Sequence, residues 1–231
     1  MANRYWVGGT NSWDSTAGTK WATSSGGAGG AAVPTSSDNV FFDGNSGTPI
    51  ATITVTANVA SIDFTGYAGA LAGSNGLNVA GDLTLSASMT LSYSGQIQFT
   101  STTTQNVTTH GKTLSSAVVF NGVGGSWTLQ DALTTSGAIT LTAGTLTLNG
   151  HAVTCPSFSS SNTNTRTLDL TSSTMTLTGS GTVFSCSTST NLTLVSTGSE
   201  IIANDTSAST KTLTLDGETY NKVTFSGAGP L

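Results

Sequence analysis

The chain has 231 residues, of which only 7% are charged and 36% are hydrophobic, with 28 glycines and a net charge of −5. A disordered chain usually needs a high net charge to stay expanded, so this composition favours a folded protein. The six basic residues are scattered singly, without the basic stripe of a nucleic-acid binder. No apolar run approaches the roughly 20 residues that cross a bilayer. We therefore expect neither nucleic acid nor membrane insertion.

Residues 1–47 differ in composition from the rest of the chain. They contain Tyr5 and three of the four tryptophans, Trp6, Trp13 and Trp21, separated by Gly, Ser and Thr. An open end of a stacked sheet exposes unpaired backbone and must be covered, and aromatic residues with small spacers suit that task. We predict that this segment is a cap or attachment segment. The alternative is that the aromatic rings stack on carbohydrate.

Residues 48–231 repeat a short pattern of alternating Thr and apolar residues. In the stretch 137–149, Ile139 and Leu141 share one parity and Leu146 and Leu148 another, so each half predicts a strand with one apolar face. The same pattern gives inward pairs along the chain, at Ile53/Val55, Ile62/Phe64, Leu77/Val79, Leu83/Leu85, Met89/Leu91, Ile97/Phe99, Val118/Phe120, Trp127/Leu129, Val153/Cys155, Leu168/Leu170, Met175/Leu177, Leu192/Leu194, Leu213/Leu215 and Val223/Phe225.

Short strands at even spacing suit a sandwich, a barrel or a solenoid. The strands are near-copies of one another, which is the sequence signature of stacked repeats. Asn-Gly dipeptides are too few for an antiparallel sandwich of so many strands. The pattern therefore predicts an all-β fold, a parallel β-helix of about three strands and roughly 20 to 25 residues per turn, with about eight turns.

The two cysteines continue the inward parity of their strands. Cys155 follows Val153 and Cys186 follows Phe184 at a spacing of two. We predict buried free thiols, with a disulfide between neighbouring layers as the less favoured alternative.

Two expectations concern the ends of the chain. The start lacks the apolar segment of a signal peptide, so we expect synthesis in a cytoplasm without export. The stretch 216–231 reads as an ordinary repeat that then stops, which predicts oligomeric contacts at this end or a longer natural chain.

The chain resembles β-helix structural proteins of tailed bacteriophages. The resemblance rests on the stretch 4–10 (Arg-Tyr-Trp-Val-Gly-Gly-Thr), on Trp13 and Trp21, on the stretch 38–43 (Asp-Asn-Val-Phe-Phe-Asp) and on 219–228 (Thr-Tyr-Asn-Lys-Val-Thr-Phe-Ser-Gly-Ala). It implies a virion component: a tail fibre, a tailspike-like adhesin or a head fibre, with other virion proteins as partners. It also implies a homo-oligomer, with a trimer favoured.

Catalysis is not the favoured interpretation. Glycoside cleavage needs two carboxylates on either side of the sugar. The close acidic pairs among the later repeats are Glu200 with Asp205 and Asp216 with Glu218, and most other acids stand singly at turns. No pattern predicts a cofactor.

Metal binding is equally disfavoured. His110 and His151 each stand beside a glycine in a predicted turn, without the spacing of a metal motif. Asp38 and the stretch 43–47 offer oxygen ligands for calcium, but they lack the spaced acids of a calcium loop.

The leading hypothesis is a non-enzymatic virion structural protein whose polar flank contacts host surface glycans through many weak hydrogen bonds. A polysaccharide depolymerase and a bacterial surface adhesin are the alternatives.

Overall fold

The apolar pairs stack on one another in parallel, one turn apart. In the computed structural model, which describes residues 1–207 and 209–227, Ala57 pairs with Leu77 and Leu77 with Ile97, so a turn takes 20 residues. All strand pairings but one are parallel. The fold is a β-solenoid of about eight parallel stacked coils, as predicted.

Three faces run along the solenoid, and its strands are numbered in chain order. The first face contains β1 (Ala2–Trp6), β4 (Asp38–Phe41), β7 (Ser61–Asp63), β10 (Leu83–Thr84), β13 (Thr104–Thr108), the second parts of β15 (Val118–Leu129) and β17 (Ile139–Thr147), β20 (Arg166–Asp169) and β23 (Leu192–Val195). The second face contains β2 (Asn11–Trp13), β5 (Ile50–Ile53), β8 (Ala70–Gly73), β11 (Thr90–Tyr93), β14 (Thr113–Leu114), β16 (Leu133–Thr135), β18 (Val153–Cys155), β21 (Thr174–Leu177), β24 (Glu200–Ala203) and β26 (Val223–Phe225). The third face contains β6 (Ala57–Val59), β9 (Leu77–Val79), β12 (Ile97–Phe99), the first parts of β15 and β17, β19 (Phe158–Ser159), β22 (Gly181–Ser185) and β25 (Lys211–Thr214).

The first turn is closed by an antiparallel pairing. The short strand β3 (Trp21–Ala22) pairs with the end of β1, placing Trp21 opposite Trp6. Strands β1 and β2 pair in parallel with β4 and β5 of the next turn, so residues 1–47 contain the first turn and the first strand of the second turn of the same stack. The boundary predicted at residue 47 follows a short 3₁₀ helix, Gly44–Ser46, which Asp43 caps.

The core is one continuous column inside the coil, from Trp6 to Ala203. Like residues stack from turn to turn because each inward position lies above its counterpart. Phe42 and Phe64 have ring centroids 4.7 Å apart, and Phe99 and Phe120 are 4.9 Å apart. Such offset stacks add to the stability from burial.

Most predicted inward pairs are buried, and the exceptions are informative. Both members are buried in the pairs from Ile97/Phe99 to Met175/Leu177. Val55 is 36% exposed and Phe225 is 41% exposed. The half-buried members are Leu91 and, in the last turns of the described chain, Leu192, Leu194, Leu213, Leu215 and Val223. The residues 228–231 of the predicted last repeat lie outside the described residues.

The cysteines lie where their parity places them. Cys155 and Cys186 are both fully buried and are free thiols, which confirms the favoured prediction. Burial raises the pKa of Cys155 to about 12. In the described residues, no helix is both long and apolar enough to cross a membrane.

Candidate binding surface

The three N-terminal tryptophans lie inside the coil. Trp6, Trp13 and Trp21 are at most 1% exposed and surround Phe42, with the rings of Trp13 and Trp21 in edge contact at 4.9 Å. None of these indoles therefore offers a free face to a sugar. Tyr5 lies on the outside, where it stacks on Phe41 at 4.8 Å.

Glu200 and Asp205 are held by different partners. Glu200 contacts Lys222 at 3.0 Å, whereas Asp205 contacts Lys211 at 3.4 Å. The hydrogen bond from Thr224 and the contact with Lys222 lower the pKa of Glu200, and the hydrogen bonds from Ser207 lower the pKa of Asp205. A glycosidase needs one carboxylic acid that stays protonated near neutral pH, which requires a raised pKa. This pair does not meet that requirement.

Asp216 and Glu218 shape a turn. Asp216 has a left-handed backbone, with φ of 37°, and its Oδ2 accepts a hydrogen bond from the Ser189 amide at 2.8 Å. The Glu218 amide donates to the Leu215 carbonyl across the same turn. The carboxylate of Asp216 thus joins two successive turns of the solenoid, a structural use.

The other polar candidates are also turn residues. His110 has a left-handed backbone, and its amide donates to Asp131. Asp38 is buried and accepts hydrogen bonds from Thr35; burial alone would raise the pKa of Asp38, but these bonds and the charge of Arg4 lower it. His151 donates its amide to the Leu148 carbonyl. Among the described residues, no three His, Cys, Asp or Glu side chains gather as a metal site.

An open groove of about 610 Å³ lies along the corner between the third and first faces. Its floor is made of the small residues Ala60, Ala80 and Gly81, over which a ligand can approach the backbone. Its polar side is formed by outward side chains of consecutive turns, which are Asn39, Ser61, Asp82, Thr103 and Gln105. The groove therefore runs along the solenoid axis across four turns.

The groove side chains are fixed in place by bonds from turn to turn. The Ser61 hydroxyl donates to Asn39 Oδ1 at 2.9 Å, and the Asn39 amide group donates to Asn3 Oδ1 at 3.4 Å. Asp82 Oδ1 accepts from the Asn106 backbone amide at 2.6 Å. Each bond orients one side chain and leaves further polar atoms of Asn39, Ser61 and Asp82 for a ligand.

This groove was not predicted from the sequence, although the residue pattern contains a signal for its polar side. Asn39, Ser61, Asp82 and Asn106 each directly precede an inward residue of the first face, Val40, Ile62, Leu83 and Val107. A polar residue at this fixed offset in four successive repeats predicts one column of polar groups. The floor could not be foreseen, because Ala60 and Ala80 reach it only through the register of the third face.

The spacing of the column sets what it can bind. Neighbouring parallel strands lie ~4.8 Å apart, so the polar groups recur at that interval along a line. A pyranose ring in an extended oligosaccharide advances by a similar length. Besides the exposed Met1, the groove is lined by one carboxylate, Asp82, and by hydroxyl and amide side chains, which suit a hydroxyl-rich chain.

Comparisons with known proteins give no family for the chain. No family model matches it, no curated protein matches it, and no solved structure matches it. The resemblance to phage β-helix proteins therefore stays a prediction.

Proposed function

We propose that the protein is a non-enzymatic structural component of a bacteriophage particle that contacts host surface glycans through the groove along Asn39, Ser61 and Asp82. The observation that carries the glycan part is the column of fixed polar groups over a floor of small residues. The resemblance of the N-terminal and C-terminal stretches to phage β-helix proteins supports the virion part.

The rigidity of the solenoid favours binding of this kind. Ordering a flexible surface costs free energy on binding, and side chains already held by their neighbours lose less. Individual hydrogen bonds to hydroxyl groups are weak, so a chain contacting several turns gains affinity through the number of contacts. A linear polymer with repeating sugars meets this geometry along the axis.

The non-enzymatic part rests on how the acids are used. The carboxylates of Glu200 and Asp205 are ion-paired, and Asp216 accepts a backbone hydrogen bond from a neighbouring turn. Asp82 is the single acid that lines the groove. A second carboxylate across the sugar, as hydrolysis with acid and base requires, does not line it.

Glycan binding is tested by titrating the protein with neutral capsular and lipopolysaccharide oligosaccharides, using NMR. We expect amide shifts at residues 39, 61 and 82, and about tenfold weaker binding for Asn39→Ala, the loss of one or two good hydrogen bonds. The matched control is Gln98→Ala, an outward side chain of the third face that does not line the groove. Equal binding by both variants would contradict the groove as the site.

The virion assignment has its own experiment. Particles induced from a host that carries the coding sequence are purified and analysed by mass spectrometry, and the chain is expected among the particle proteins. Absence from particles would contradict the virion proposal and would favour a bacterial surface adhesin. Release of new reducing ends or unsaturated sugars from host polysaccharide would instead show a depolymerase.

A further inference from the structure

The third face of the solenoid begins one turn later than the other two. In the first turn the first face has β1 and the second face has β2, but the chain between Trp13 and Asp38 contains only β3, which pairs with β1. The first strand of the third face is β6, and it pairs with β9 of the following turn. The other edge of β6 therefore has no strand beside it in the described part of the chain.

The hydrogen bonds of β6 show which backbone groups face this open edge. The Ala57 amide donates to the Gly76 carbonyl, and the Val59 carbonyl accepts from the Ala80 amide, so these residues bond to the following turn. Because bonding alternates along a parallel strand, the amide and carbonyl of Asn58 point the other way. No described residue bonds to them.

The segment that passes beside this edge does not pair with it. Pro34 has no amide hydrogen, and the amide and hydroxyl of Thr35 both donate to Asp38 Oδ2. The Thr35 carbonyl accepts from the Asp38 amide. The polar groups of Thr35 are thus all bonded to Asp38, and a cleft of about 410 Å³ separates the segment 33–36 from residues 55–58.

The cleft combines a free backbone edge with a mixed lining, in which the one charged side chain, Asp14, is ion-paired with Lys20 at 2.6 Å. Val55 is 36% exposed in it. Its other apolar lining residues are Trp13, Val33, Pro34 and Ala57. Asn58 is exposed at its rim and accepts a side-chain hydrogen bond from Asn78 at 2.9 Å, which leaves the amide hydrogens of Asn58 as donors toward the vacant position.

We propose that this cleft binds an extended, uncharged segment of a partner polypeptide, which adds one parallel strand to β6. The added strand donates to the Thr56 carbonyl, accepts from the Asn58 amide and donates to the Asn58 carbonyl, repeating the bonds of β6 to β9. Its central residue is Asn, Ser or Thr, which accepts from the Asn58 side chain, and the residues on either side are small and apolar. Addition of a strand to an open sheet edge is an established mode of peptide recognition.

The probe is a synthetic peptide with the sequence of residues 54–62, Thr-Val-Thr-Ala-Asn-Val-Ala-Ser-Ile. We expect saturable shifts of the Asn58 and Ala57 amides in NMR and slower hydrogen exchange of the Asn58 amide. Methylating the peptide nitrogen of the alanine before the asparagine removes a donor to β6 and is expected to weaken binding about tenfold. Methylating the nitrogen of the asparagine, which points away from β6, is the matched control.

The protein variant that tests the same edge is Asn58→Pro. Proline is tolerated where an edge strand turns its amide outward, and this amide does not bond to β9, so the solenoid is expected to keep its fold. Asn58→Pro should lose peptide binding, whereas Asn58→Ala, which keeps the backbone amide, should retain most of it. Equal effects of the two methylated peptides, or unchanged Asn58 shifts at millimolar peptide, would overturn the proposal.

Discussion

The middle and the last turns of the solenoid stack in the same way but differ in the number of residues per turn. On the third face, Ile97 pairs with Val118 and Val118 with Ile139, so these turns take 21 residues. Further on, Phe158 pairs with Phe184 and Phe184 with Leu213, steps of 26 and 29 residues. In the tight turns, backbone packs directly on backbone at the corners. The wide turns contain loops whose backbone carbonyls need hydrogen-bond donors.

Buried cationic side chains supply these donors to the loops of the wide turns. The guanidinium of Arg166, which is 1% exposed, donates to the carbonyls of Ser160, Asn164, Thr188 and Thr190 and to the Ser160 hydroxyl. Lys211, 5% exposed, donates to the Ser207 carbonyl at 2.8 Å. Arg166 thus satisfies polar groups of two loops from successive turns, whereas Lys211 bonds within one loop.

Removing the guanidinium of Arg166 should cause the largest loss of stability. Arg166→Met leaves several carbonyls without donors, and each buried unsatisfied group costs about 1–3 kcal/mol, so we expect a loss of about 4 kcal/mol. Because each turn contacts only its neighbours, the loss should be local. Hydrogen exchange should rise in residues 160–195 and stay slow in residues 57–129.

The control is Lys222→Met, which removes a cation whose side chain is 61% exposed and should change stability by less than about 0.5 kcal/mol. Uniform exchange along the chain would contradict the contrast between the two regions.

A glycine substitution tests the tight corners. A Cβ at Gly95 would lie 2.0 Å from the Asn75 carbonyl oxygen, the backbone of the preceding turn. Overpacking against backbone costs 1–3 kcal/mol or more, so Gly95→Ala should lose about 3 kcal/mol. At Gly76 the nearest atom to a Cβ is Thr56 Cγ2 at 3.6 Å, and Gly76→Ala should be neutral or slightly stabilising. Chemical denaturation of both variants checks the difference, and equal losses would show that the corner contact is not the cause.

The repeated parity of apolar residues was enough to predict the tight turns. Alternation placed Ile97 and Phe99 inside, and the near-identity of the repeats predicted the parallel stack and its turn length. The same alternation also indicates where the buried cations of the wide turns lie, although they were not predicted from it. Arg166 shares the parity of Leu168 and Leu170, and Lys211 shares the parity of Leu213, so both cations occupy inward positions.

Other features depend on contacts that a single strand pattern does not contain. The edge of β6 stays open because Pro34 and Thr35, which pass beside it, do not pair with it, and only the three-dimensional register reveals this. The antiparallel pairing of Trp21 with Trp6 joins residues separated by a Gly and Ser-rich loop without hairpin signals. The groove likewise combines an outward column of the first face with small residues of the third.

Buried tyrosines give a smaller test within the tight turns. The Tyr93 hydroxyl donates to the Asn75 carbonyl at a corner, and the side chain is 1% exposed. Tyr93→Phe leaves this carbonyl without its donor and should lose about 2 kcal/mol. In the wide region, the hydroxyl of the half-buried Tyr220 donates to the Leu215 carbonyl at 3.3 Å. Tyr220→Phe should lose less than 1 kcal/mol, about the net value of one hydrogen bond that water can replace. Thermal unfolding of the two variants measures the difference, and a larger loss for Tyr220→Phe would reverse the comparison.

The two buried cysteines make the stability of the protein depend on pH in the alkaline range. Burial raises the pKa of Cys155 to about 12, and it raises that of Cys186 to about 11, where the charge of Arg166 acts in the opposite direction. An unfolded thiol ionises near pH 8.5, so unfolding releases a proton above that pH and stability falls as the pH rises, by about 1.4 kcal/mol per pH unit for each thiol. The fall due to Cys186 should end near pH 11, whereas the fall due to Cys155 continues to about pH 12. Chemical denaturation at pH 9 to 11 should show a shallower slope for Cys155→Ala and for Cys186→Ala than for the parent protein. A slope unchanged by either substitution would mean that other groups, such as the buried tyrosines, cause the loss of stability at high pH.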